Sequence, residues 1–298
     1  MMEHRNLYGY GETPPHAAWP GGARVAVSLV LNIEEGSEHA VSRGDAWNEP
    51  IYDMVQSGIT EPDLAMESHF DYGTRAGFWR IMRVLDTYGA VCTHNTCAEA
   101  LELAPWIAEK ALARGDEIAC HGERWASPLG LSEAEERAMI GRAVARIETV
   151  AGIRPRGWHC RSPQSPNTRK LLIEEGGFFY DSDAYDDDLP YILDVDGRQH
   201  VVVPYSLDTN DMRCQRPDSP FVRAQDFADY VNDAFDWLWA EGATTPKMMT
   251  VGLHLRIIGR PARIGGLDRV LRHMTDKGGV WFARRDQIAE HWLRTHGR

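Results

Sequence analysis

A chain of 298 residues, 43% hydrophobic and 26% charged, can bury a large core and has the composition of an ordinary globular protein. A formal charge of −12 disfavours nucleic acid and anionic membrane as partners, because both need a basic face, and no apolar run approaches the roughly 18 residues of a membrane span. Five cysteines without a C-x-x-C pair read as reduced thiols, and the first residues lack the charged-then-apolar order of a secretory leader, so a cytoplasmic location is expected.

Gly, Pro and aromatic residues crowd the segment before Arg24, as in Trp19-Pro20-Gly21-Gly22, which predicts an irregular arm over 1–23 suited to a subunit contact. The apolar run 26–33 then ends in Glu34-Glu35-Gly36, so a buried strand delivers two carboxylates to a sheet end. Adjacent strand residues face opposite sides, and at most one of the pair is expected to enter a pocket. From Gly36 to about Ser68 no period is sustained, and a loop that long in a compact domain commonly walls or covers a site.

Phe78, Ile81, Met82 and Leu85 recur at helical spacing from Thr74 to a stop at Gly89. A strand over 90–93, a helix from Pro105 to Gly115 and a strand over 117–120 follow. Ser132 with Glu135 is a capping-box signature for a helix to about Gly152. Strands over 157–160, 178–180, 201–205, 248–253 and 279–282 alternate with helices over 168–175, 226–239, 267–274 and 286–293. About eight alternations predict a mostly parallel α/β sheet.

The strand exits carry Glu34 and Glu35, His94, His121, Arg161, Asp181 and Asp183, Asp208 and Asp211, and His254. In an α/β barrel all of these exits share one face, whereas an open sheet gathers ligands only near its switch point. The number of polar exits favours closure.

Several segments carry a family resemblance: Tyr8-Gly9-Tyr10-Gly11, Glu34-Glu35-Gly36, Arg75-Ala76-Gly77-Phe78-Trp79-Arg80, Ser165-Pro166-Asn167-Thr168-Arg169, Tyr180-Asp181-Ser182-Asp183-Ala184-Tyr185, Leu207-Asp208-Thr209-Asn210-Asp211-Met212 and Gly252-Leu253-His254. Together they resemble the polysaccharide deacetylase superfamily, and within it the metal-independent branch of allantoinases and cyclic imide hydrolases. The resemblance implies a distorted (β/α) barrel of about seven to eight strands, a single domain over 24–298. It implies Glu34 at the position of the base, Glu35 at that of the metal-binding carboxylate, and His121 at that of the first ligand histidine. Trp125 stands where the second ligand histidine belongs, and tryptophan has no lone pair to give a cation. No cofactor is therefore expected; a divalent metal such as zinc, held by Glu35 and His121 with Glu123 or His94 completing the set, is the alternative.

The expected function is a hydrolase opening a cyclic amide, ureide or imide ring by general acid/base activation of water. Glu34 or Glu35 is expected as general base, its pKa raised by its carboxylate neighbour, with His254 protonating the departing nitrogen. Arg161 and His121 are expected to hold a carbonyl oxygen, Trp125 to line the substrate site, Asp208 and Asp211 to orient Arg161 or the histidines, and His94 and His159 to wall the pocket. A small cyclic amide and further copies of the chain, as a homo-oligomer, are the expected partners. The alternatives are a metal-dependent N-deacetylase of an aminosugar or peptidoglycan, and a non-catalytic ligand-binding barrel.

Overall fold

Strand β1, Val25–Ile33, is buried along its whole length, and its residues sort by alternation. Val27, Leu29, Leu31 and Ile33 join the large apolar cluster shared with the surrounding helices. Ser28, Asn32 and, just past the strand, Glu34 fall on the opposite face, inside the curled sheet. The computed structural model describes residues 5–50, 59–195, 197–215 and 221–298. The expected pocket-walling loop over 36–68 lies partly outside the described residues.

The elements after β1 are α1 (Leu64–Tyr72), α2 (Phe78–Tyr88), β2 (Thr93–Thr96), α3 (Ala98–Leu103), α4 (Trp106–Arg114), β3 (Glu117–Cys120), α5 (Glu133–Ala151), β4 (Gly157–Trp158) and α6 (Thr168–Glu175). They continue with β5 (Tyr180–Asp181), β6 (Tyr191–Val195), β7 (Arg198–Val202), α7 (Ala224–Glu241), β8 (Lys247–His254), α8 (Pro261–Lys277), β9 (Val280–Phe282) and α9 (Arg285–His296). The nine-stranded sheet runs β6-β7-β5-β4-β3-β2-β1-β8, with β9 on β1. Every pairing is parallel except the β6–β7 hairpin. One edge of β1 is filled by β8, and the other is shared between β9 at its start and β2 at its end. A single bridge, Asn210 to Gly252, links the chain beyond β7 to β8 and draws the two sides of the sheet together. This is the expected distorted single-domain barrel: eight strands run in sequence around it, and among the described residues a short ninth, β9, pairs with β1.

Three differences from the sequence reading have local causes. Helix α1 occupies the end of the stretch without a period, because only Met66 and Phe70 on it are buried; Asp63 caps it, its Oδ1 accepting from the backbone N–H of Ala65 and Met66. Strand β6 pairs only with β7 at the edge of the sheet, and its largely half-buried side chains leave no alternation to read. Strand β2 begins at Thr93 rather than residue 90, so His94 lies within it and not beyond it.

The N-terminal end of the barrel is closed by α9 and the arm. Arg285 is fully buried, and its guanidinium donates to Ser182 Oγ at 2.8 Å, Thr250 Oγ1 at 2.9 Å and the carbonyls of Val203 and Pro204. Burial pushes its pKa down. Trp19 of the arm donates its indole N–H to the Lys247 carbonyl at 2.8 Å and packs among Trp281, His291 and Trp292. Because Trp19 is 2% exposed, Trp19→Ala is expected to lower the unfolding free energy by about 3–5 kcal/mol, read by urea denaturation.

Candidate active site

At the C-terminal ends of the strands a cavity of ≈ 230 Å³ is lined by Glu34, His121, His159, Arg161, Tyr205 and His254, among others. They arrive from the exits of five strands, His159 and Arg161 both following β4, and this convergence is what a barrel provides. Glu34 sits at its centre. Its Oε1 is 3.5 Å from His121 Nε2 and 3.5 Å from His254 Nε2, and its Oε2 is 2.8 Å from Arg256 Nη1. Alternation along β1 puts Glu34 inward and turns Glu35 away. Glu35 Oε2 accepts the Glu34 N–H at 3.2 Å, its Oε1 accepts the Arg256 N–H at 3.2 Å, and its carboxyl packs so close to Gly73 that a Cβ there would collide with it.

The two carboxyls are driven in opposite directions. Burial opposes ionisation of Glu34, but the charges of Arg256 and His254 and the contacts with His121 and His254 outweigh it and hold the group well below the usual carboxylate range. Burial raises Glu35, with the Glu34 charge adding to it and Arg256 opposing. The expected upward shift therefore falls on the carboxyl behind the cavity, and the cavity-facing one is shifted down. This corrects the expectation of a base raised by its neighbour.

His254 is held by Asp211, whose Oδ1 lies 2.6 Å from His254 Nδ1 and whose Oδ2 accepts backbone N–H groups of His254 at 2.8 Å and Ile258 at 3.0 Å. Burial works against protonation of the imidazole, but the Glu34 and Asp211 carboxylates override it and push the pKa up to about 9. His121 is fixed through Nδ1, which meets the His159 carbonyl. Its Nε2 faces Glu34 Oε1 at 3.5 Å.

Arg161 is clamped by Glu49, with N–O distances of 2.7 and 2.8 Å, and also donates to the Trp125 carbonyl at 3.0 Å. Asp208 does not orient it or any histidine: Asp208 pairs with Arg213 at 2.7 Å and accepts from the Tyr230 hydroxyl at 2.6 Å, with its side chain 61% exposed. His159 lines the cavity, with Nδ1 3.0 Å from Asp183 Oδ1, and burial lowers its pKa. His94 is absent from the wall. Thr93 and Asn95 face inward, where Arg285 N–H and Asn32 bond them, and His94 points outward, its Nε2 3.1 Å from Asp116 Oδ2.

The residues present do not fit a catalytic metal centre. The Trp125 ring is held between the guanidinium groups of Arg161, 3.9 Å from its centroid, and Arg256, 4.9 Å away. Arg256 also stacks on Phe70 at 4.5 Å, so a fixed cation already faces both Glu34 and Glu35. Glu123 points elsewhere, bound to Arg142 and Arg146, and His94 is turned away, so neither completes a ligand set. Among the described residues, three donor atoms come within 4.8 Å of one another at Cys92, His94 and Asp116, outside the cavity. Arg114 already holds that Asp116, with Nε 2.9 Å from Oδ2.

Sequence reasoning missed Arg256 and Glu49. Arg256 had a signal: it is the one charged residue in the run from Leu253 to Ile258 apart from His254 itself. Glu49 had none, because it stands in the stretch without a period.

Known proteins resemble the whole chain. The polysaccharide deacetylase family model matches residues 60–176. The crystal structure of PuuE allantoinase superposes with a TM-score of 0.94 and 44% identity, covering 99% of this chain and 98% of that one. A Pseudomonas aeruginosa PAO1 structure carrying a polysaccharide-deacetylase name gives the same TM-score of 0.94 and 44% identity, with 99% of both chains covered. A Schizosaccharomyces pombe protein, also with a polysaccharide-deacetylase name, is 35% identical over 320 residues, covering 99% of each chain.

Removing one partner of a buried charge cluster strands the rest. Arg256→Leu is therefore expected to destabilise the protein by about 3–5 kcal/mol at neutral pH, read by urea denaturation, with part of the loss recovered in the Glu34→Gln/Arg256→Leu double variant.

Proposed function

The chain belongs to the polysaccharide deacetylase family, and from that premise we propose that this hydrolase opens a cyclic amide, ureide or imide ring, allantoin-like or succinimide-like. The observation that carries the proposal is Arg256. With Trp125 in place of a ligand histidine, it supplies the positive charge beside Glu34 that keeps a buried carboxylate ionised. Chemistry that relies on protein groups alone suits a ring whose nitrogen is activated by a second carbonyl, because that nitrogen leaves more readily than a sugar amine. The cavity, ≈ 230 Å³, also lies below the range typical of sites for drug-sized ligands, which suits a small ring.

In this mechanism Glu34 Oε1 and His121 Nε2 hold a water between them. The water oxygen forms a bond to the carbonyl carbon as its proton passes to Glu34, and Arg161 receives the developing oxyanion. His254 Nε2 gives its proton to the ring nitrogen as the C–N bond breaks. The proton on Glu34 then returns to His254 across 3.5 Å, restoring both groups. Asp211 holds the imidazole in the orientation this requires. Glu35 does not touch the reacting atoms; it anchors the backbone of Glu34 and Arg256.

The alternative reading is an aminosugar or peptidoglycan N-deacetylase, which the name of the Pseudomonas aeruginosa neighbour favours. It requires acetate release from N-acetylglucosamine oligomers. Hydantoin, allantoin and succinimide opening, followed by absorbance alongside that acetate assay, separates the two.

Two further outcomes are expected. Glu34→Gln should lower kcat on the best ring substrate by about 10²–10⁴-fold, with the fold retained by circular dichroism; near wild-type kcat would remove Glu34 from the mechanism. Because His254 acts in its protonated form, kcat/KM should fall as pH rises through about 9, and Asp211→Asn, by removing one of the carboxylates that raise that pKa, should move this alkaline limb to lower pH.

A further inference from the structure

Beneath the charged layer lies a second set of polar groups that the mechanism above does not use. Asn32 precedes Glu34 by two residues on the same face of β1, which places it about 7 Å deeper in the barrel. Its Oδ1 accepts from Asn95 Nδ2 at 3.3 Å, and its Nδ2 donates to the Leu253 carbonyl at 3.2 Å and to Tyr205 Oη at 3.1 Å. Asn210 Nδ2 donates to the same Tyr205 Oη at 3.1 Å, while its Oδ1 accepts the Met212 N–H at 2.9 Å. A backbone group fixes each amide, so neither can turn its oxygen toward the phenol. Tyr205 Oη therefore accepts two hydrogen bonds, and among the described residues nothing accepts its proton.

The rest of the surroundings hold the phenol in place. Its ring stacks on His159 at 4.4 Å, and a Cβ on Gly252 would collide with both Tyr205 Oη and Asn210 Nδ2, so only glycine leaves room for the pair. Tyr205, Asn32 and Asn210 all line the cavity. We infer that the Tyr205 hydroxyl donates a hydrogen bond to a second carbonyl of the bound ring, selecting imides and ureides over simple lactams. The inference rests on the ring-hydrolase reading. Burial keeps the phenol protonated, as a donor must be.

Asn210→Asp makes the test specific. It preserves the acceptor for Met212 but presents an oxygen to Tyr205, capturing the phenol proton inside the protein while leaving the ring in place. Steady-state kinetics would use whichever of hydantoin, allantoin and succinimide the wild type opens fastest, with 2-pyrrolidone as a one-carbonyl competitive inhibitor. Tyr205→Phe is expected to raise KM about tenfold for the two-carbonyl ring and to change the inhibition constant of 2-pyrrolidone less than about twofold. Asn210→Asp should do the same, and the double variant should be no weaker than either single one. Unchanged KM in Tyr205→Phe, equal weakening toward imide and lactam, or multiplying effects in the double variant would overturn the inference while leaving ring hydrolysis standing. A wild type that opens none of the three rings would overturn the proposed function, and this inference with it.

Discussion

The guanidinium of Arg256 is the charge on which the site depends. Glu34 is almost wholly buried, and burial alone would leave it a neutral acid. Arg256 at 2.8 Å reverses that outcome, and an ionised Glu34, with Asp211, in turn keeps His254 protonated. One cation thus sets the protonation of both groups that must exchange a proton with the substrate. Arg256 is itself held by stacking on Phe70 and Trp125, so the tryptophan positions the cation.

The barrel delivers these groups by strand alternation. Ser28, Asn32 and Glu34 share the inner face of β1, and they serve successive depths: contact with Arg285 below, the amide–phenol layer in the middle, and the reacting carboxylate at the top. The interior of this barrel is polar through much of its height, and the apolar core lies outside it, between the sheet and the helices. Arg285 illustrates the cost and its remedy. A buried cation with no carboxylate partner among the described residues is tolerated because hydroxyls and carbonyls satisfy its N–H groups.

Much of this is legible in the sequence where a local rule applies. Strand β3 and helix α6 fall at the expected residues, and the Ser132–Glu135 capping box forms at the start of α5. The strand exits of Glu34, His121, Arg161 and His254 do converge, because closure of the sheet makes their shared polarity meaningful. What stays hidden is set by partners distant in sequence. Glu49 reaches Arg161 across 112 residues from a stretch without a period. The opposite pKa shifts of Glu34 and Glu35 depend on Arg256 lying 2.8 Å from one and 3.5 Å from the other and on the histidines beside Glu34, and no sequence spacing encodes that. His94 and Asp208 look equivalent to the true lining residues until strand phase turns one outward and Arg213 draws off the other.

The proposed mechanism runs on protein charges alone. The most direct measurement is turnover of hydantoin, allantoin and succinimide by protein dialysed exhaustively against a chelator, with metal content determined on the same sample. Undiminished ring opening at far less than one metal ion per chain is the expected result. Loss of turnover on chelation, restored by zinc, would contradict it.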